Sequence, residues 1–220
     1  MKVDLLAAIN AARLARKPVA VITHLKSGEQ RLVHRSEAGA GSALEKAFRF
    51  DKSGIEGEEF IAIHNPPLRL VIVGAVLISQ SIIPIAQACG YDVTVIDPRG
   101  AFATGARFPN IKLVAEWPED VLPGMGLDGR TGLVALTHDP KIDDPALQLA
   151  LSSQLFYIGA LGSKKTQAAR RERLQRAGFD EAALARICGP IGLNIGAVGA
   201  AEIAISVMAE MTKVLRLGLA

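Results

Sequence analysis

Residues 68 to 99, LRLVIVGAVLISQSIIPIAQACGYDVTVIDPR, constrain the fold more than any other stretch, because they pattern as strand, turn, helix and second strand of a nucleotide-type α/β domain. Leu70 to Val73 form the continuous apolar run of a buried parallel strand, and Gly74 supplies a turn. Ile78 to Cys89 follow with apolar residues at helical spacing, and Gly90 stands where a helix stops. Tyr91 to Ile96 read as the second strand, with Asp97 at its carboxyl end, where such folds place an acid that meets a ribose hydroxyl. The glycine loop departs from the dinucleotide fingerprint G-x-G-x-x-G, since Val76 and Ser79 occupy the second and third glycine positions. A β-branched side chain at position 76 crowds the approach of backbone to a pyrophosphate, so the stretch predicts the fold and speaks against ordinary NAD binding.

The same stretch is the head of a longer α/β pattern. Further strands are expected at Lys112 to Ala115, Leu133 to Thr137 and Phe156 to Ala160, with helices around Asp144 to Leu151, Lys164 to Ala177 and Ala200 to Leu217. Right-handed crossovers place the strands near the order 3-2-1-4-5, giving a doubly wound, mainly parallel, Rossmann-like sheet over 68–220. Ile203, Val207, Met211 and Val214 line one face of the last helix, which is expected to pack on its own domain, with a homodimer as the alternative. Residues 1–67 read as a small α+β unit ended by Asn65-Pro66-Pro67. Asp4 caps a helix bearing Leu5, Ile9 and Ala12. Val19 to Leu25 and Arg31 to Arg35 form a hairpin about Ser27-Gly28-Glu29, Ser42 to Phe48 a short helix, and Glu59 to His64 a last strand.

Composition removes several function classes. Half the residues are hydrophobic but only 5% are aromatic, the palette of buried parallel strands. Twenty-five basic against 22 acidic residues leave a net charge of +3, too small an excess for a nucleic-acid partner. Cys89 and Cys188 lack metal-ligand spacing, so neither a disulfide framework nor a zinc site is expected; Cys89 reads as a small buried hydrophobe on the first core helix. Asp4 and Asn10 interrupt the first apolar stretch and no run reaches the length of a membrane span, so the expected compartment is the cytoplasm.

Ligands of open α/β sheets lie outside the carboxyl ends of the strands, and the polar residues gather in those loops. The first loop offers Gly74, Ala75, Val76 and Leu77; the second Asp97, Pro98 and Arg99; the fourth Thr137, His138 and Asp139; the fifth Gly159, Gly162, Ser163 and Lys164. Gly162-Ser163-Lys164 also opens a helix, where free amides and the helix dipole favour phosphate, although Ser163 serves equally well as a plain cap. His138 beside Asp139 reads as ligand contact rather than catalysis, and no catalytic residue is assigned. Arg99 and Arg107 flank a loop and are candidates to hold a terminal phosphate; His24, His34 and His64 are scattered and read as structural. Gly189 to Gly196 punctuate an apolar stretch before the last helix, lining the pocket or simply bending the backbone.

Taken in order, GAVLISQ (74–80), VTVIDPR (93–99), RFP (107–109), THD (137–139), YIGALGS (157–163), PIGLNIGA (190–197) and EIA (202–204) resemble the C-terminal Rossmann-like domain of the xanthine dehydrogenase accessory factor family, XdhC/CoxI. The resemblance implies a cytoplasmic maturation factor, more a cofactor-binding chaperone than a catalyst. Such a factor binds molybdenum cofactor (molybdopterin) for sulfuration and insertion into a molybdenum hydroxylase of the xanthine or carbon monoxide dehydrogenase type. It further implies a hydroxylase client, and a cysteine desulfurase or a separate polypeptide supplying the N-terminal half. Cofactor contacts carry over to Gly74, Ala75, Val76, Leu77, Asp97, Arg99, His138, Asp139, Gly162, Ser163, Lys164 and Asn194. Where the family's first loop reads glycine-any-glycine-histidine, this chain has Val76 and Leu77, and Asn194 stands where the family often has Asp. The N-terminal unit carries no cysteine. The alternatives are an NAD(P)-dependent oxidoreductase, favoured by Asp97 and opposed by Val76, and a scaffold that binds no ligand.

Overall fold

The computed structural model describes residues 3–219, which divide between Pro66 and Pro67 into two compact units. The first is built from α1 (Val3–Leu14), β1 (Val19–His24), β2 (Gln30–His34), α2 (Ala43–Phe50), β3 (Gly54–Glu56) and β4 (Glu59–His64). Its strands form an antiparallel sheet in the order β2-β1-β4-β3. The β1–β2 hairpin turns at Gly28, whose φ of +72° suits glycine. Alternation along β1 sends Ala20 and Ile22 to the face where Val33, Ile61 and Phe48 of α2 form the core. Ser42 caps α2 by accepting from the Glu45 amide. The short edge strand β3 was not foreseen, since three residues carry no usable period.

The second unit comprises β5 (Leu68–Val73), α3 (Leu77–Ala88), β6 (Tyr91–Ile96), β7 (Lys112–Val114), α4 (Pro118–Val121), β8 (Thr131–Ala135), α5 (Pro140–Leu151), β9 (Tyr157–Ala160), α6 (Lys164–Arg176), α7 (Glu181–Leu184), β10 (Ile187–Cys188) and α8 (Ala200–Leu217). All six strands pair in parallel in the order β10-β9-β8-β5-β6-β7. The expected 3-2-1-4-5 order is therefore present, extended by β10, which at two residues is too short to show in a sequence pattern. Period-2 alternation divides the strands between two cores. Leu70, Ile72, Val93, Val95 and Val134 pack with Ile82 and Ala86 of α3 and Val207 and Met211 of α8. Val71, Val73, Leu133, Ala135 and Ile158 pack with Ile142 and Leu147 of α5 and Leu174 of α6. The last helix thus packs on its own domain, against α3.

Four expectations need correction. Asp4 lies within the first turn of α1, which already includes Val3, rather than capping it. Helix α5 starts at Pro140 rather than Asp144, because Asp139 caps it through the Lys141 amide and Pro140 suits the first helical position. Strand β8 runs from Thr131 to Ala135 rather than from Leu133 to Thr137; Thr131 and Gly132 are buried and paired although neither is apolar in the usual sense. Cys89 is exposed: it is the C-cap of α3, beyond the last buried position, Ala86, where the chain turns through Gly90 at φ +79°. No helix among the described residues is long and apolar enough to cross a membrane.

Close packing makes one glycine a sensitive probe. A Cβ on Gly159 would lie 2.5 Å from Ile191 Cδ1 and 2.7 Å from Tyr157 Cε1, so two neighbours must move together. Gly159→Ala is expected to cost about 1–3 kcal/mol, read as a lower urea midpoint with unchanged slope.

Candidate functional site

The carboxyl ends of β6, β5, β8 and β9 lie side by side, so the loops that follow them share one edge. The first loop is tightly committed. The Gly74 amide donates to Ile96 O at 2.8 Å, the Ala75 amide to Asp97 Oδ2 at 2.7 Å, and the Val76 amide to Ser79 Oγ at 3.4 Å. Ser79 in turn donates to Gly74 O at 2.5 Å. Gly74, with φ +121°, is required by packing, since a Cβ would lie 2.9 Å from Thr137 Cγ2. Leu77, the first residue of α3, is 67% exposed at this edge.

Asp97 is fully buried and its carboxylate is saturated from within the chain. Oδ1 accepts from the Arg99 amide (3.0 Å) and Nε (2.9 Å), and Oδ2 accepts from the Ala75 amide and Arg99 Nη2 (both 2.7 Å). Burial raises its pKa, but the bonds from Arg99 and Ala75 outweigh this and hold it below the ordinary carboxylate value. The Arg99 guanidinium lies over the Phe102 ring, 4.7 Å from its centroid. Arg107 donates to Phe102 O at 2.9 Å, bracing the same loop.

The fourth loop is held by a residue that the sequence reading missed. Asp143, buried in the first turn of α5, accepts from the Thr137 amide (3.2 Å), Thr137 Oγ1 (2.7 Å) and the His138 amide (3.2 Å). Arg170 of α6, also buried, approaches Asp143 Oδ2 at 3.4 Å and donates to Leu161 O (3.1 Å) and Gln167 Oε1 (2.6 Å). Gln167 donates to Ala160 O at 2.8 Å, so this network ties the fourth loop to the fifth. Burial pushes the Asp143 carboxyl up and the Arg170 guanidinium down, each against its partners. The chain leaves Thr137 with His138 in the left-handed region, φ +63°, which is costly outside glycine and projects the imidazole into solvent. One signal could have revealed the network. Asp143 shares a helical stripe with buried Leu147 and Ala150, as Arg170 does with Leu174, and charges inside apolar stripes require partners.

The fifth loop turns through Gly162, whose φ of +140° and proximity to Thr166 leave no room for a side chain. Ser163 caps α6 by accepting from the Thr166 amide at 3.2 Å. The amides that open α6 before Thr166 have no acceptor within the helix, and exposed Lys164 stands beside them, an arrangement suited to an anion. The Ile191 amide donates to Ala160 O at 3.1 Å, bringing the glycine-rich segment to the end of β9. Glu210 of α8 holds that segment by accepting from Gly192 N–H (2.9 Å) and Tyr157 Oη (2.6 Å). Beyond it Asn194 is exposed.

Burial, with Glu210 nearby, pushes the Cys188 thiol up to about 12. At about pH 8 iodoacetamide is therefore expected to alkylate exposed Cys89 alone, the second adduct appearing in the mass spectrum only after unfolding. Among the described residues no group of three or more His, Cys, Asp or Glu side chains is placed to hold a metal. In the first unit His24 Nδ1 accepts from the Ser27 amide, while His34 and His64 flank Val19 across the sheet.

An open parallel sheet with this strand order, ligand loops on its carboxyl edge and a first loop without the repeated glycines defines a Rossmann-like domain that departs from the dinucleotide-binding type. Residues 70–211 match the family model described as the XdhC Rossmann domain, and the chain belongs to that family, as the succession of short motifs implied. It is 33% identical over 153 residues to a probable xanthine dehydrogenase subunit of Bacillus subtilis, covering 69% of this chain and 44% of that protein. It is 31% identical over 150 residues to the molybdenum cofactor insertion chaperone PaoD of Escherichia coli, covering 68% and 41%. A crystal structure described as a xanthine dehydrogenase from Bacillus halodurans superposes with a TM-score of 0.69 at 25% identity, covering 97% of this chain and 64% of that one. The chain thus spans less than half the length of these two curated relatives.

Proposed function

We propose that this chain is an accessory factor that carries molybdenum cofactor to a molybdenum hydroxylase of the xanthine or carbon monoxide dehydrogenase type, supporting sulfuration and insertion. Family membership and the relative described as a molybdenum cofactor insertion chaperone support this reading. The observation that carries it is the division of labour at the carboxyl edge. The Gly74, Ala75 and Val76 amides of the first loop are spent within the fold, whereas those opening α6 are free to receive a phosphate beside Lys164. The pterin phosphate of the cargo would sit there, with Arg99, His138, Asp139 and Asn194 facing the remainder. The protein works by holding and releasing, so no step of bond making is assigned to it. Its partners are then the hydroxylase client and a cysteine desulfurase or a separate polypeptide supplying the N-terminal half.

Titration of the purified protein with released molybdenum cofactor, with NADH and NADPH as competitors, tests this directly. Saturable cofactor binding unaffected by either nucleotide is the expected result. Absence of binding, together with failure to restore hydroxylase activity in a strain lacking this gene, would overturn it. Charge reversal at Lys164→Glu, an exposed position, should weaken cofactor binding about tenfold, a change of roughly 1.4 kcal/mol, while leaving the unfolding midpoint in place.

A further inference from the structure

Asp97 occupies the position from which a dinucleotide-binding domain reads the ribose of the adenosine half, yet no lone pair on it is left for a ligand. Its two oxygens receive four donors, three of them from Arg99, and the side chain has no exposed surface. The planar guanidinium matches the carboxylate through two side-chain bonds, and the Phe102 ring on its other side restrains it there. We propose that Arg99 is a specificity-determining residue: by occupying Asp97 from within, it strips the second loop of ribose-diol recognition and excludes nucleotides of the NAD, FAD and ATP class from this edge. The same carboxylate draws in the Ala75 amide, so the lock also withdraws one donor of the first loop from any pyrophosphate. Exclusion therefore rests on two linked features, the Asp97–Arg99 pair and Val76, and removing one alone leaves the other in place.

The probe is ADP-ribose, which presents the adenosine ribose and the pyrophosphate without the nicotinamide. It is titrated calorimetrically against the full chain and against variants made in a Val76→Gly background, each checked for folding by thermal unfolding. Val76→Gly alone should bind no better than the natural chain. Adding Arg99→Ala should raise affinity at least about tenfold, because a buried acceptor is now open to the ribose hydroxyls, and adding Asp97→Asn should abolish most of that gain. If Arg99→Ala does not fold, Arg99→Lys reads the same gain, since lysine keeps the charge but cannot span both oxygens. A natural chain that binds ADP-ribose as tightly as the Arg99 variants, or folded Arg99 variants that gain nothing, overturns the proposal. No molybdenum cofactor enters these measurements, so their outcome is independent of the delivery reading, and failure of that reading leaves them intact.

Discussion

Asp143→Ala is expected to lower folding stability by about 3–5 kcal/mol, because breaking a buried charge pair leaves the surviving charge uncompensated. The side chains of Asp143 and Arg170 are 1% and 3% exposed, so water cannot replace the lost partner. The Thr137 amide, Thr137 Oγ1 and the His138 amide lose their shared acceptor together, and Arg170 Nε has no partner even in the natural chain. The left-handed conformation of His138 depends on the same carboxylate, so the fourth loop should relax and cofactor binding fall along with stability. Arg170→Met added to Asp143→Ala should recover part of the loss, since no buried charge then remains unpaired. Urea unfolding of the natural chain and the two variants reads both numbers. A loss below about 1 kcal/mol for Asp143→Ala would mean that the loop is held by something else.

Much of the second unit was legible because its central strands are buried along most of both faces and are mainly apolar, with Arg69, Asp92 and Thr94 the polar exceptions in β5 and β6. Leu68 to Val73 and Tyr91 to Ile96 admit little else, and right-handed crossovers leave few strand orders to choose from. Legibility fades where an element is short or where a polar residue is buried. Ile187–Cys188 pairs with β9 through two residues only, and Thr131 enters β8 because Arg69 of the neighbouring strand and Asp128 bond its hydroxyl. The ligand edge was readable as a set of loops, since the ends of parallel strands must lie together. The donor economy of those loops was not readable. That Arg99 folds back on Asp97, two residues away, is a matter of side-chain direction, and the Asp143–Arg170 pair spans 27 residues on two helices. Cys89 shows the converse: a small apolar residue at helical spacing is exposed because the helix ends one residue too soon.

Asp97 and Asp143 should answer acid in opposite directions, which separates their contributions without a ligand. Removing Asp97 by Asp97→Ala strands the Ala75 and Arg99 amides and frees a partly exposed guanidinium, an expected loss of about 2–3 kcal/mol at neutral pH, less than for the wholly buried pair. The folded-state pKa of Asp97 is lowered, so its stabilisation is fully present above the unfolded carboxylate value, near 3.9, and is lost as pH falls through the lower folded value. The difference in unfolding free energy between the natural chain and Asp97→Ala should thus hold constant from pH 7 down to about pH 5 and shrink below about pH 4. The folded-state pKa of Asp143 is raised, so the folded protein takes up that proton before the unfolded chain does. Stability from this group therefore grows as pH falls through its folded value, and the gap between the natural chain and Asp143→Ala should widen on acidification. Parallel pH profiles for the two variants would show that the two acids are not in the opposed environments described, the one saturated by a facing arginine fork and the other strained by burial.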